Sequence, residues 1–258
     1  MPNQTPWLID RTDYREVGSH HYEVALLPWG ATESHGYHLP YGTDNFEAAA
    51  LADRAAEIAW RQGRKVAVLP TIPFGVQTGQ LDLPFCMNLN PSTQAAILRD
   101  VLSSLAAAKV RKFVLLNAHG GNDFRQILRE LQPQFPNLFL CVTAWFSIPV
   151  AEPKFEHPGD HADERETSLM LHLHPDWVRS KAEWGDGATN EWTLRALREK
   201  WAWAQRHWTS ATHDTGVGDP SASTAEKGAT YLKALSEKLA SFLVELADAD
   251  PAKLYASK

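Results

Sequence analysis

The sequence is poor in cysteine and in long apolar runs. Its 258 residues include only Cys86 and Cys141, which lie far apart, so we expect no disulfide framework and a reducing, cytoplasmic location. The first six residues lack the basic segment and apolar core of a secretory signal peptide, so we expect none. No apolar run approaches the roughly 20 residues that a membrane-spanning helix needs. A soluble protein is therefore expected.

Excess positive charge is also absent. The sequence has 25 basic and 31 acidic residues, a net charge of −6, which argues against binding to nucleic acid or to a membrane surface. We find no internal repeat, no low-complexity tract and no Gly-x-Gly-x-x-Gly or P-loop pattern. The length suits one α/β domain, and we expect residues 1–258 to form a single domain.

Short apolar segments alternate with helical ones in the first 144 residues. The pattern predicts strands at residues 24–27, 65–69, 113–116 and 138–144, and a helix at 45–61 capped by Asp44 or Asn45. Further helices are predicted after Ser92, after residue 123 and after a capping box at 223–226. Connections of crossover length predict a parallel sheet with helices on both faces.

Ligand-type side chains follow two of the predicted strands. Glu33, His35 and Asp44 come after the first strand, and His119 comes after the third. Ligands bind beyond the carboxyl ends of strands in such sheets, and imidazoles with carboxylates suit a divalent metal. We therefore predict that these residues hold one ion, or two ions bridged by an aspartate. Zinc fits this set of ligands, and manganese and iron are further candidates.

Other interpretations of these residues stay open. Asp44 is equally placed to cap the following helix, and His119 to begin one. Gly120 and Gly121 beside His119 indicate a close backbone approach to something bound, or serve only the turn.

A third polar segment follows the fourth strand. His161, Glu164 and Glu166 are candidates for proton transfer at the same edge of the sheet. The alternative is that Glu164 and Glu166 only form the acidic first turn of a helix, where they favour its dipole.

Four segments in this order resemble the signatures of the creatininase family. They are Pro-x-Gly-x-x-Glu-x-His-Gly-x-His-Leu-Pro-x-x-Thr-Asp at 28–44, Asn-x-His-Gly-Gly-Asn at 117–122, His-Ala-x-Glu-x-Glu-Thr-Ser at 161–168, and the C-terminal motif at 216–228. The resemblance implies a three-layer α/β/α sandwich around a mainly parallel sheet, a metal-dependent amidohydrolase, and a homo-oligomer, often a hexamer.

The resemblance also implies roles for individual residues. Glu33, His35, Asp44 and His119 would be metal ligands, with Asp44 bridging if two ions bind. His161 would correspond to the proton-transferring histidine, and Glu166 to the active-site glutamate beside it.

The sequence departs from the creatininases proper at two places. Gly120 and Gly121 stand where those enzymes have Tyr and Glu, so Glu164 or Glu166 would have to supply the carboxylate of a second metal. Asp163 replaces a glycine of the third motif, and we expect its charge to raise the pKa of His161. These departures argue against creatinine itself as the substrate.

The expected activity is hydrolysis of a small amide, a cyclic amide (creatinine-like) or a formamide. Metal-bound hydroxide would attack the carbonyl and His161 would protonate the leaving nitrogen. One alternative is a catalytically idle small-molecule-binding protein that keeps the fold. Another is a nucleotide-handling protein that uses residues 120–122 as an anion cradle. The loops at 71–91 and 145–160 and the tryptophans after residue 184 are expected to select the substrate.

Overall fold

A parallel four-stranded sheet forms the centre of the computed structural model, which describes residues 5–157 and 159–256. Residues 1–4, on which the expectation about a signal peptide partly rests, lie outside the described residues. The strands are β1 (Val24–Trp29), β2 (Val66–Val68), β3 (Lys112–Asn117) and β4 (Phe139–Ala144). Their order is β2-β1-β3-β4, and every pairing is parallel. The predicted sheet is confirmed, with strand ends shifted by one or two residues.

Helices connect and cover the strands. They are α1 (Tyr14–Ser19), α2 (Thr43–Arg61), α3 (Pro91–Ala107), α4 (Phe124–Leu131), α5 (Glu164–Leu173), α6 (Arg195–Arg198), α7 (Trp208–Ala211) and α8 (Ala225–Asp248). Short 3-10 turns lie at Ile9–Arg11, Thr78–Gln80, Gln132–Gln134, Trp145–Ser147, Pro175–Trp177, Lys181–Glu183 and Pro251–Lys253. Among the described residues, no helix combines the length and apolarity needed to cross a membrane. Cys86 and Cys141 are both free.

The sheet separates two apolar cores. Successive side chains of a strand point to opposite faces, so Leu26 packs in one core and Leu27 in the other. The first core is closed by apolar residues of α2, α5 and α8, and the second by those of α3 and α4. Because both faces of the sheet are buried, the strands carry the continuous apolar runs seen in the sequence.

The predicted helix caps were wrong at α2 and α3. Helix α2 begins at Thr43 after Gly42, so Asp44 lies inside the first turn and is not the cap. Helix α3 begins at Pro91, because proline is well suited to the first helical position, and Ser92 therefore lies inside the helix.

The start of α8 also differs by one residue. Thr224, rather than Ser223, is the N-cap, and its hydroxyl accepts a hydrogen bond from the Lys227 amide. The helix turns Leu235 and Leu239 into the core, where both are buried.

The strand order places a topological switch between β1 and β3. The chain leaves β1 for β2 on one side of the sheet and later returns to β3 on the other. Trp29, the last residue of β1, pairs with Asn117, the last residue of β3. The loops that follow these two strands therefore leave the sheet side by side, at the position where open α/β sheets bind ligands.

Candidate metal centre

Six buried side chains converge at this edge of the sheet. Their exposed fractions are all 7% or less. They are Glu33, His35, Asp44, His119, His161 and Glu166. Six of the seven residues that the sequence singled out as ligands or proton carriers are thus brought together, and the seventh, Glu164, is not among them.

The first group of possible ligands joins Glu33, Asp44 and His119, with one ligand atom of each lying within 4.8 Å of the others. His119 Nδ1 lies 2.7 Å from Glu33 Oε1 and 3.2 Å from Asp44 Oδ2. Glu33 comes from the loop after β1, Asp44 from the first turn of α2, and His119 from the loop after β3. A nitrogen and two carboxylate oxygens in one buried place form a suitable ligand set for a divalent ion.

The second group joins His35, Asp44 and Glu166 within the same limit. His35 Nε2 lies 2.9 Å from Asp44 Oδ1, while Asp44 Oδ2 faces the first group. Each oxygen of Asp44 therefore belongs to a different group. This is the arrangement that a carboxylate bridging two ions requires.

The ring nitrogens of the histidines are oriented by backbone carbonyls. His119 Nε2 lies 3.0 Å from Val76 O, and His35 Nδ1 lies 3.1 Å from Glu33 O. The nitrogens that donate to these carbonyls carry hydrogen, which leaves His119 Nδ1 and His35 Nε2 facing the carboxylates. Metal-binding histidines typically donate their second ring N–H in this way, so the residues fit a divalent ion.

The electrostatics of the metal-free site favour charged pairs. Burial opposes the charged form of His119, but Glu33 and Asp44 outweigh it and raise its pKa well above the usual value. Burial likewise opposes a charged His35, yet Asp44 raises the pKa of His35 to about 10. The pKa values of Glu33 and Asp44 are lowered against burial by the histidines. The positive charge of the imidazoliums thus balances the negative charge of the carboxylates.

Glu164 and Glu166 are separated by the geometry of α5. Glu166 accepts a hydrogen bond from the Ala162 amide and faces His35, and burial raises its pKa to about 8. Glu164 points elsewhere: its carboxylate lies 2.5 Å from Lys227 Nζ and accepts two backbone hydrogen bonds from residues 156 and 157. Glu166 is therefore the glutamate of this segment that lies at the site.

His161 belongs to the same cluster and forms a third group of possible ligands with Glu33 and His35. Its ring is 4.3 Å from that of His35, and its Nδ1 lies 3.8 Å from Glu33 Oε1. Its Nε2 lies 2.7 Å from Ser34 O, so Nε2 carries the hydrogen and Nδ1 faces the site. The backbone carbonyl thereby fixes the tautomer.

The expected effect of Asp163 on His161 was wrong. Burial and the charge of His35 lower the pKa of His161. Asp163 instead caps α5, accepting from the Arg165 amide, and pairs with the Arg165 side chain at 2.8 Å. Its charge acts instead on Glu166 and Glu47, whose pKa values it helps to raise.

The two glycines after His119 have different surroundings. A Cβ on Gly121 would collide with Val76 O and would lie 2.5 Å from His119 Nε2, whereas one on Gly120 would meet nothing within 4 Å. The close approach predicted from the sequence exists at Gly121 only, and it is to the protein's own backbone. An anion cradle is disfavoured, because the Asp123 carboxylate already caps α4 and accepts from the Arg125 amide.

The tryptophans of residues 184–208 differ in their surroundings, since some contact the site and others are exposed. Trp208 packs edge-on against His161 at 4.8 Å between ring centroids, and Trp184 lies 5.1 Å from the His38 ring. Trp201 and Trp203 are 74% and 84% exposed. His38 itself contacts Thr167 Oγ1 at 2.8 Å and belongs to none of the ligand groups.

The sequence did not identify every residue that contacts the cluster. Gln80 donates a hydrogen bond to Glu33, and Val76 offers its carbonyl to His119. Both lie in the loop at 71–91, which is expected from the sequence to help select the substrate. A lone glutamine and a backbone carbonyl leave no pattern in a single sequence, so only the fold reveals them.

Comparison with known proteins identifies relatives of the chain. The sequence model of the creatininase family, described as creatinine amidohydrolase, matches residues 9–243. A mycofactocin precursor peptide peptidase of Mycobacterium tuberculosis is 28% identical over 218 residues, covering 81% of this chain and 80% of the relative. A creatinine amidohydrolase of Pseudomonas putida is 29% identical over 176 residues, covering 60% and 66%.

Solved structures agree with this relationship. A crystal structure from Bacteroides fragilis, provisionally assigned as a creatinine amidohydrolase, is 41% identical and covers 98% of this chain and 100% of its own, with a TM-score of 0.91. A manganese form of creatininase shares the fold at a TM-score of 0.72 and 22% identity, covering 94% and 99%. The chain belongs to the creatininase family of hydrolases.

Proposed function

We propose that the protein is a metal-dependent hydrolase of the amide C–N bond in a small amide, a cyclic amide or a formamide. The observation that carries this proposal is the pair of buried ligand groups that share Asp44. Glu33, Asp44 and His119 would hold one divalent ion, and His35, Asp44 and Glu166 a second. Zinc is favoured by the nitrogen and oxygen donors, with manganese or iron as alternatives.

Divalent ions in such a centre polarise a carbonyl oxygen and lower the pKa of water to near neutrality. The remaining chemistry falls to the side chains of this chain. His161 Nδ1 faces the site while its Nε2 is held by Ser34 O, so Nδ1 is the nitrogen available for proton transfer. It would take a proton from the attacking water and pass it to the leaving nitrogen as the C–N bond breaks.

Burial supports the use of this site by a cation. Asp44 and Glu33 are each 1% exposed, and buried carboxylates are costly unless positive charge, from histidines or from a metal, offsets them. His161 is the feature that favours hydrolysis over passive binding, because its Nε2 is held by Ser34 O and its Nδ1 faces the site, where it could transfer a proton. Metal centres of this composition also serve peptide hydrolysis, and a peptidase is among the relatives.

The test is a hydrolysis assay on chelator-treated protein with Mn²⁺ or Zn²⁺ restored. The panel contains creatinine, cyclic ureides, formamides and short peptides. We expect turnover of a small amide that needs the added metal and falls by about 10²–10⁴-fold in His161→Gln. Activity that survives chelation, or turnover of peptides alone, would overturn the proposal.

A further inference from the structure

We propose that Gln80 is a positioning residue that fixes the carboxylate of Glu33 for metal binding, and that Cys86 orients the amide of Gln80. This inference rests on the proposed metal centre. It adds two residues that contribute no ligand atom to that centre, and it follows from an uninterrupted path of hydrogen bonds.

The path begins at the two oxygens of Glu33, which have different partners. Oε1 lies 2.7 Å from His119 Nδ1, on the side of the ligand group. Oε2 accepts a hydrogen bond from Gln80 Nε2. Both side chains are 2% exposed or less, so water does not compete for this contact. Gln80 thereby fixes the rotation of the carboxylate and leaves Oε1 facing His119, where it could bind a metal.

The path continues from Gln80 to Cys86. The Cys86 thiol donates to Gln80 Oε1 at 3.2 Å, and Cys86 Sγ accepts from the Ser34 amide at 3.4 Å. An amide has a donor end and an acceptor end. The donor placed at Gln80 Oε1 therefore turns Gln80 Nε2 towards Glu33. In a flipped amide, Gln80 Oε1 would instead lie against Glu33 Oε2, and two acceptors would face each other. Burial raises the pKa of Cys86, which keeps its S–H available as a donor.

The path closes on the backbone beside its origin, since Ser34 directly follows Glu33. The turn that carries Gln80 is itself held in place. The backbone N–H of Gln80 donates to the backbone carbonyl of Gln77 at 2.9 Å, and the backbone N–H of Gln77 donates to Asn88 Oδ1 at 2.8 Å. Gly79 packs so closely on the backbone carbonyl of Arg206 that no side chain fits there. Gln80 is thus a rigid support, as residues that orient metal ligands need to be.

The experiment measures Mn²⁺ binding by calorimetry to full-length, chelator-treated protein. We expect Gln80→Leu to weaken Mn²⁺ binding by about 10–100-fold, the usual loss when a supporting hydrogen bond to a ligand is removed. Cys86→Ala is expected to weaken binding in the same direction, and Cys86→Ser, which restores a donor, to return it towards the wild-type value. A purely structural role would lower thermal stability without changing the Mn²⁺ dissociation constant.

Matched controls come from the same residue types away from the site. Gln132 donates to the carbonyls of Phe135 and Leu138, and Cys141 is a free thiol in β4. We expect Gln132→Leu and Cys141→Ala to leave Mn²⁺ affinity unchanged. If Gln80→Leu does not fold, the Cys86→Ala and Cys86→Ser pair decides the question. Wild-type Mn²⁺ affinity in folded Gln80→Leu, or in both Cys86 variants, would overturn this inference. A wild-type protein that binds no Mn²⁺ or Zn²⁺ would instead overturn the metal centre itself.

Discussion

Trp29 and Asn117 are paired at the carboxyl ends of neighbouring parallel strands. Glu33 lies four residues after Trp29, and His119 lies two residues after Asn117. This pairing therefore brings the two side chains together, with Glu33 Oε1 2.7 Å from His119 Nδ1. The site therefore depends on the strand order: with β1 and β3 apart, the ligands would lie on different parts of the sheet edge.

The contacts of Gly121 predict a sharp contrast with Gly120. Gly121→Ala places a methyl group against Val76 O and His119, and we expect a loss of about 1–3 kcal/mol in the free energy of unfolding. Gly120→Ala meets open space and is expected to change stability by less than about 0.5 kcal/mol. Urea denaturation of both variants checks this, and equal stabilities would contradict the close packing at Gly121.

The two glutamates of α5 should respond differently to the same substitution. Glu164→Gln weakens the contact with Lys227, so we expect a loss of about 1–3 kcal/mol in stability with metal content unchanged. Glu166→Gln removes an anionic ligand, and we expect lower metal content with little loss of stability in the metal-free protein. Denaturation and elemental analysis of both variants separate the roles. The reverse pattern would assign the site to Glu164.

Metal binding should release protons. Without a metal, the pKa of His35 is raised to about 10 and that of His119 well above its ordinary value, but a histidine nitrogen must be unprotonated to bind a metal. We expect Mn²⁺ affinity to fall as the pH falls from about 8 to 6. The apparent binding enthalpy should differ between buffers of different ionisation enthalpy. An affinity independent of pH would contradict the charged pairs.

His38 should make the metal-free protein less stable in acid. Burial, together with the charges of His35 and His161, outweighs Asp214 and lowers the pKa of His38 to about 4. The unfolded chain therefore binds a proton more readily between about pH 6.5 and 4. The contribution of His38 to the free energy of unfolding is fully present above about pH 6.5. It is lost as the pH falls towards about 4, by up to about 3 kcal/mol. Denaturation across this range should show a shallower decline in His38→Gln, and parallel curves would contradict the assignment.

Much of the architecture was predictable because it depends on local patterns. Apolar runs of strand length and amphipathic helices indicated the parallel sheet, and the residues after β1 and β3 were expected at one edge. Helix starts were less predictable, since several residues compete for each cap. Asp44 illustrates this: a cap by propensity, it lies instead within the first turn of α2, where its two oxygens face histidines from different loops.

The remaining features depend on contacts between distant parts of the chain. Sequence did not settle which of Glu164 and Glu166 lies at the site, because Lys227 on α8 and the amides of residues 156 and 157 hold Glu164 away from it. It also could not show Gln80, which reaches Glu33 across 47 positions. Charges near in sequence were misleading too, since Asp163 pairs with Arg165 and helps to raise the pKa of Glu166, while burial and His35 lower the pKa of His161.

The proposed metal centre depends on Asp44 belonging to two ligand groups, and the metal content of Asp44→Ala is the most direct test of this. Purified wild-type protein and the variant, both loaded with Zn²⁺ or Mn²⁺ and desalted, are compared by elemental analysis. His119→Ala, which removes a ligand from one group only, serves as the reference. We predict that Asp44→Ala loses more metal than His119→Ala and retains almost none. An Asp44→Ala protein that is folded and keeps the wild-type metal content would show that Asp44 is not shared between two metal-binding groups.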